Sequence, residues 1–209
     1  MGDHIFTEAP ELTKVVPDFT LVKQVKTTSG VAKFVDITKE QVFDGKKIVL
    51  FGLPGAFTPT CSGQQLPGFE ALYHEFREAG IDDIYCLSVN DTFVMNEWAI
   101  DQGLVNVKLL PDGSAQLAIK LGMDVRKDNL QFGIRCWRFA AVYDNGNLVK
   151  GFVEEGFGDN VEGDPYEVSK PDNVLEWVKG ATFLNGEDEE GKHIELDISD
   201  STDIKEKLG

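Results

Sequence analysis

The apolar positions of this chain fall in short blocks whose spacing switches between the period of a strand and that of a helix. Val15 to Thr20, Leu21 to Val25 and Val31 to Ile37 alternate weakly, and Gly30 before the last of these predicts a hairpin turn. Thr38 to Phe43 reads as one helical turn capped by Thr38. Lys47 to Leu53 is nearly continuous in apolar residues, as a central strand buried on both faces would be. Leu66, Phe69, Leu72, Tyr73 and Phe76 then recur at helical spacing and predict a helix over about 65–79. Pro67-Gly68 predicts a kink or a fresh start within it, and Gly80 its end. Further on, Ile84 to Val89 reads as a buried strand, Asp91 to Gln102 as a helix, Val107 to Leu110 as a short strand and Ser114 to Leu121 as a short helix. Arg135 to Tyr143 predicts one strong strand. It turns at Asp144-Asn-Gly146 into a returning strand over Asn147 to Val153, and Pro171 to Lys179 predicts a closing helix. Strands alternating with helices, then a hairpin and a last helix, predict an α/β fold: a central mixed β-sheet flanked by helices, with an N-terminal hairpin.

Two stretches break the pattern. Residues 154–167 hold six acids and no basic residue, with glycines interspersed, and predict a long solvated loop. Residues 187–209 carry nine acids against three lysines and predict an exposed segment. The expected organisation is one folded domain over 1–182 and an acidic C-terminal extension over 183–209.

Charge narrows the function. The chain has 209 residues, with 36 acids against 20 Lys and Arg, for a formal charge of −16. No basic field exists to neutralise nucleic-acid phosphates or to dock on an anionic membrane. No apolar stretch approaches the roughly 20 residues that span a bilayer, and the first residues lack a secretory pattern. A cytoplasmic protein is expected. Three cysteines, Cys61, Cys86 and Cys136, form no CxxC pair and are too few and too odd for a disulfide framework or a zinc site. His4, His74 and His193 lack metal-ligand spacing, so no metal is expected.

One cysteine sits where chemistry is expected. Pro54-Gly-Ala-Phe-Thr58-Pro-Thr-Cys61-Ser-Gly follows the apolar strand and precedes the helix, so a tight turn delivers Cys61 to a helix start. The dipole and unpaired N–H groups there favour thiolate, the nucleophilic form. Thr58 lies three residues earlier, on the same face of a first turn, where its hydroxyl could donate to the sulfur and accept from a substrate. A fixed cation would complete the site. Arg135 and Arg138, three apart on one strand, would point to opposite faces, so only one could face Cys61. Cys136 and Arg138 would share a face.

Pro54-x-x-x-Thr58-x-x-Cys61 resembles the active-site motif of the peroxiredoxins. The longer Pro-Gly-Ala-Phe-Thr-Pro-x-Cys-Ser form, with Leu66-Pro-Gly68, resembles their type-five (plant type II) subgroup. Cys86-Leu-Ser-Val-Asn-Asp91, Glu97-Trp98 and Trp137-Arg138-Phe139 fit as well. Gly163-Asp-Pro-Tyr-Glu-Val-Ser169 is most similar to the peroxiredoxin half of bacterial peroxiredoxin–glutaredoxin hybrids. The resemblance implies a thioredoxin-like fold, reduction of hydrogen peroxide and organic hydroperoxides, and no bound cofactor. It implies Cys61 as peroxidatic nucleophile with Thr58 and Arg138 as catalytic partners, and Pro54, Gly55 and Thr60 around the substrate. No cysteine follows Cys136, and Cys86 and Cys136 read as structural. The expectation is therefore a one-cysteine cycle completed by an external thiol, glutathione with glutaredoxin, or thioredoxin. A homodimer is also implied. The alternatives are a peroxide-sensing regulatory protein switched at Cys61, and a cysteine hydrolase, for which no His motif is found.

Overall fold

The structure is a computed structural model that describes residues 10–26 and 30–184. A five-stranded mixed sheet organises it, and the sheet is built outward from β3 (Lys47–Leu53). On one side β3 pairs in parallel with β4 (Asp83–Ser88), which pairs in parallel with β5 (Lys108–Pro111). On the other it pairs antiparallel with β8 (Phe139–Asp144), which pairs antiparallel with β9 (Asn147–Val153). The spatial order is β5-β4-β3-β8-β9. Because strand side chains alternate, β3 feeds two cores. Val49, Phe51 and Leu53 pack with Leu66, Phe69, Phe76, Trp98, Val174 and Val178. Ile48 and Leu50 pack with Val42, Phe43, Leu117 and Tyr143 on the opposite face. A sheet covered on both faces explains why β3 reads as unbroken apolar sequence.

Helices cover both faces. Thr38 starts α1 (Lys39–Phe43), its backbone N–H donating to Gln41 Oε1 at 3.1 Å. Asp91 caps α4 (Thr92–Asp101) by accepting from the Phe93 and Val94 N–H groups at 2.8 and 3.0 Å. α5 (Gln116–Lys120) packs on the α1 face and α6 (Pro171–Leu184) on the other. The N-terminal hairpin, β1 (Thr20–Lys26) with β2 (Ala32–Thr38), forms a separate two-stranded sheet. The expected strand over Val15 to Thr20 is reduced to a single bridge, Val15 to Asn147.

Three expectations need correcting. The helix expected over 65–79 begins earlier, at Pro59, and comes in pieces: a wide π turn over Cys61–Gln65, α2 (Leu66–Ala71) and α3 (Tyr73–Glu78). The Leu66 N–H reaches back five residues to Cys61 O, and Pro67, with no N–H to give, starts the α geometry. A fresh α start does fall at Pro67-Gly68, with Pro67 in the first turn of α2, and a second break follows at Leu72. Gly80 does end α3: at φ 90° it lets its own N–H and that of Ile81 return to Arg77 O and Phe76 O.

The single strand expected over Arg135 to Tyr143 is two, β7 (Ile134–Cys136) and β8, broken at Trp137-Arg138. β7 pairs instead with β6 (Asp124–Arg126), an element the sequence pattern did not reveal. At the break the Trp137 N–H donates to Met123 O at 2.6 Å, and Arg138 O accepts the Glu154 N–H at 3.2 Å. Strand alternation therefore does not relate Arg135, Cys136 and Arg138.

Residues 154–167, expected as a solvated loop, are pinned. Glu154 is buried, and its carboxylate accepts the Glu167 N–H at 2.9 Å, the Ser169 N–H at 2.8 Å and the Ser169 hydroxyl at 2.7 Å. Three charge-assisted bonds hold one carboxylate out of water. The Phe157 ring packs on Trp137, and Lys127 Nζ donates to Val161 O at 2.9 Å. The acidic extension over 183–209 lies outside the described residues apart from the last turn of α6, as do His4 and His193. No helix among the described residues is long and apolar enough to cross a membrane.

Two glycine substitutions test this packing. A Cβ on Gly52 would stand 2.3 Å from Phe139 Cε1 and 2.7 Å from Cys136 Sγ, whereas one on the exposed, helical Gly180 meets nothing within 4 Å. Urea unfolding is expected to show Gly52→Ala destabilised by about 1–3 kcal/mol. Gly180→Ala should be stabilised by up to about 1 kcal/mol.

Candidate functional site

β3 ends at Leu53, and the chain turns through Pro54 to Thr58 before winding into the helix at Pro59. The turn is held from several sides. The Ala56 N–H donates to Asn90 Oδ1 at 3.0 Å, an oxygen that also takes the Ser88 hydroxyl at 2.6 Å. Trp98 Nε1 donates to Ser62 Oγ at 3.0 Å. Phe57 adopts φ 62°, a left-handed conformation costly for a residue with a Cβ, and its half-exposed ring lies 6.5 Å from that of Trp98. Cys61 arrives in the first turn, fully buried. The Ser62 N–H bonds Thr58 O at 2.9 Å, and the Thr60 and Cys61 N–H groups precede it, among the donors a helix start leaves unpaired.

Arg138 reaches this sulfur across the sheet break, with Nη1 3.5 Å from Cys61 Sγ. The guanidinium is 1 % exposed and is held at both edges. Gln65 Oε1 accepts from Nη1, and Asp164 Oδ1 accepts from Nη2. The Tyr166 ring lies 5.5 Å from its centre. Burial works against the charge of Arg138, yet Cys61 and Asp164 outweigh it, so its proton is held more tightly than usual. A guanidinium only donates, so the Gln65 carboxamide must present its oxygen to Arg138. Its Nε2 is then left buried without a partner among the described residues, as is Arg138 Nε.

The other expected residues take different places. Thr58 does not donate to the sulfur: its hydroxyl donates to Gly55 O at 2.8 Å, which leaves its oxygen free to accept from an incoming molecule. The short link Gly55–Thr58 closes the turn more directly than a bond to a thiol would. Gly55 is buried, and a Cβ there would come within 2.9 Å of Arg135 Nη1. Arg135 lies outside the turn, with Nη1 3.5 Å from both Pro54 O and Val89 O, so it braces the loop while Arg138 meets the sulfur. Thr60 is half-buried in the turn before Cys61 and makes no hydrogen bond with its side chain among the described residues.

Cys86 and Cys136 are fully buried free thiols. Cys86 lies on β4 in the same core as Cys61, and Cys136 belongs to the opposite core, not to a face shared with Arg138. Burial pushes both well above the usual thiol range, with the neighbouring Cys61 adding to it in each case. Burial likewise pushes Tyr166 up to about 12, against the pull of Arg138. Among the described residues, no group of three or more His, Cys, Asp or Glu could hold a metal ion.

Gln65, Asp164 and Tyr166 were missed by sequence reasoning. Gln65 read only as a helix start. The acidic composition around Asp164 masked its pairing with the buried guanidinium, although the Gly163 to Ser169 segment carrying it had marked itself by its resemblance. What the arrangement supplies is a buried sulfur nucleophile, unpaired N–H donors, an acceptor oxygen and one fixed guanidinium. These suit attack on a small, oxygen-rich electrophile that leaves with negative charge.

The known proteins agree. The Redoxin family profile matches residues 12–169. A peroxiredoxin of Rhizobium etli is 54% identical over 177 residues, covering 83% of this chain and 99% of its own. The hybrid peroxiredoxin hyPrx5 of Haemophilus influenzae is 42% identical over 165 residues, 79% of this chain and 65% of its own length. The crystal structure of a Plasmodium falciparum antioxidant protein, a 1-Cys peroxiredoxin, superposes with a TM-score of 0.74 at 34% identity, covering 79% of this chain and 98% of that one. With its thioredoxin-like sheet, its buried cysteine, the matching family profile and a 54% identical peroxiredoxin matched over 99% of its length, this chain belongs to the redoxin family as a peroxiredoxin, a thiol-dependent peroxidase.

Proposed function

We propose that Cys61 is the peroxidatic nucleophile and that the enzyme turns over with this one cysteine, reducing hydrogen peroxide and organic hydroperoxides at the expense of an external thiol. The observation that carries this reading is the buried Arg138 guanidinium 3.5 Å from the Cys61 sulfur at a helix start. The thiolate attacks the terminal oxygen of ROOH. An S–O bond forms as the O–O bond breaks, sulfur gives up two electrons, and RO⁻ leaves to take a proton as ROH. The Thr58 oxygen accepts from the peroxide and the Cys61 N–H donates to it, while Arg138 stabilises charge passing from sulfur to the leaving oxygen. Pro54, Gly55 and Thr60 shape the turn around that space. Cys61 becomes a sulfenic acid, which one thiol attacks and a second releases.

The placement of the other cysteines supports an external donor. Cys86 lies within a central strand and Cys136 across the sheet, both fully buried and both held as thiols. Glutathione with glutaredoxin fits best, with thioredoxin as the other donor of this class, in a reducing compartment such as the cytoplasm. We also infer a homodimer, for which the exposed Phe57, Phe93 and Ile100 supply apolar surface around α4, and a separate acidic extension following the 1–182 domain.

Peroxide consumption with glutathione and glutaredoxin is the direct test. Cys61→Ser should abolish turnover, whereas Cys86→Ser and Cys136→Ser should retain it within about twofold; an intramolecular disulfide to either, found by mass spectrometry, would defeat the one-cysteine cycle. Arg138→Met should slow oxidation by about 100-fold, the scale on which a preorganised charge partner acts. Iodoacetamide labelling adds a pH test. The raised Cys86 and Cys136 remain protonated until pH passes well above 9, the ordinary thiol value, so native protein at pH 7 should be labelled at Cys61 first.

A further inference from the structure

Asp164 stands apart from the motif that carries the chemistry. It arrives on the segment 154–169, whose two ends the buried Glu154 carboxylate ties together through the Glu167 and Ser169 N–H groups. The middle is fastened by Lys127 Nζ to Val161 O at 2.9 Å and by the Arg126 N–H to Asp159 Oδ1 at 2.7 Å. These ties leave Asp164 bonded to Arg138 Nη2, with a side chain 39% exposed against 1% for the arginine. Arg138 thus divides its two terminal nitrogens between two partners: Nη1 faces the Cys61 sulfur and Nη2 faces Asp164.

We propose that Asp164 is a positioning residue for the peroxide reaction: it holds the Nη2 edge of Arg138 so that Nη1 stays on Cys61, and its negative charge opposes ionisation of that sulfur. The proposal rests on Cys61 being the nucleophile. The two effects follow from one contact. An arginine fork bonded along one edge loses its freedom to swing, so the other edge is aimed. A carboxylate on the same guanidinium neutralises part of the field that would otherwise favour thiolate. The other titratable groups near the pair are Cys86, Cys136 and Tyr166, each raised by burial, Lys127, lowered by burial, and Glu154 and Asp172 near Tyr166.

The test is the pH profile of Cys61 oxidation by hydrogen peroxide in the full chain, measured by competition with a haem peroxidase. Asp164→Asn keeps an acceptor for Nη2 and removes the charge. Its acid limb is expected to move to lower pH by about half a unit or more, with the alkaline plateau within about twofold of the parent. Asp164→Ala removes both, and its plateau is expected to fall by about tenfold. Glu167→Gln, on the same segment but paired outward with Lys170, should superimpose on the parent. An acid limb unmoved in Asp164→Asn, or a plateau within twofold in Asp164→Ala, overturns the proposal. Should thermal melting show Asp164→Ala unfolded, the Asp164→Asn profile alone decides. Loss of the parent's Cys61 thiol to one equivalent of peroxide, read by mass, tests the nucleophile separately: its failure removes both readings, whereas an oxidised parent with unmoved variants removes only the role of Asp164.

Discussion

A guanidinium taken out of water must be answered by fixed partners, since desolvation of a charge costs several kcal/mol. In this protein the answer to Arg138 comes from two separate parts of the chain: Cys61 and Gln65 on the wide turn after β3, and Asp164 and Tyr166 on the segment after β9. Much of the irregular structure follows. The strand breaks at Trp137-Arg138 so that this one side chain can leave the alternation of the sheet. The helix opens into a π turn that carries Cys61 at its first residue and Gln65 at its last, both buried beside the same charge. The acidic segment folds inward because a single carboxylate, Glu154, collects the backbone donors at its far end.

The sheet provides the rigidity that these contacts need. β3 carries the turn before Cys61, and its antiparallel neighbour β8 begins one residue after Arg138, opposite Gly52. Gly52 lets Phe139 and Cys136 close over β3, and so fixes how near the arginine comes to the sulfur. The cores on either face are built from alternate residues of β3, so packing errors on one face would be felt at the turn that presents Cys61.

How much of this could be read from the sequence depends on how local each feature is. The strand, the Pro54 turn and the cysteine at a helix start lie within one short stretch, and the spacing of Thr58 and Cys61 was enough to place them. The order of strands and helices gave the mixed sheet, because central strands buried on both faces show unbroken apolar runs. Arg138 was selected by resemblance rather than by periodicity; the alternation argument assumed a continuous strand where Trp137 and Arg138 interrupt it. The segment over 154–167 looked solvated because composition counts charges and does not show where their partners are. Glu154 is buried by donors from residues 167 and 169, and Asp164, still partly exposed, pairs with a guanidinium 26 residues earlier in the chain. Thr58 was given a bond to sulfur that its nearer neighbour, Gly55 O, takes instead.

The complete burial of Cys61 imposes an asymmetry of time on the catalyst. On the proposed reading, the small peroxide and the larger thiol donor meet that burial differently. On the proposed one-cysteine cycle, a bulky thiol donor reaches this sulfur only if the turn around it opens. Leu66, Phe69 and Trp98 share the core with Cys61, so such an opening would have to loosen their packing. The same packing that seats the sulfur beside Arg138 would therefore also set what its release costs.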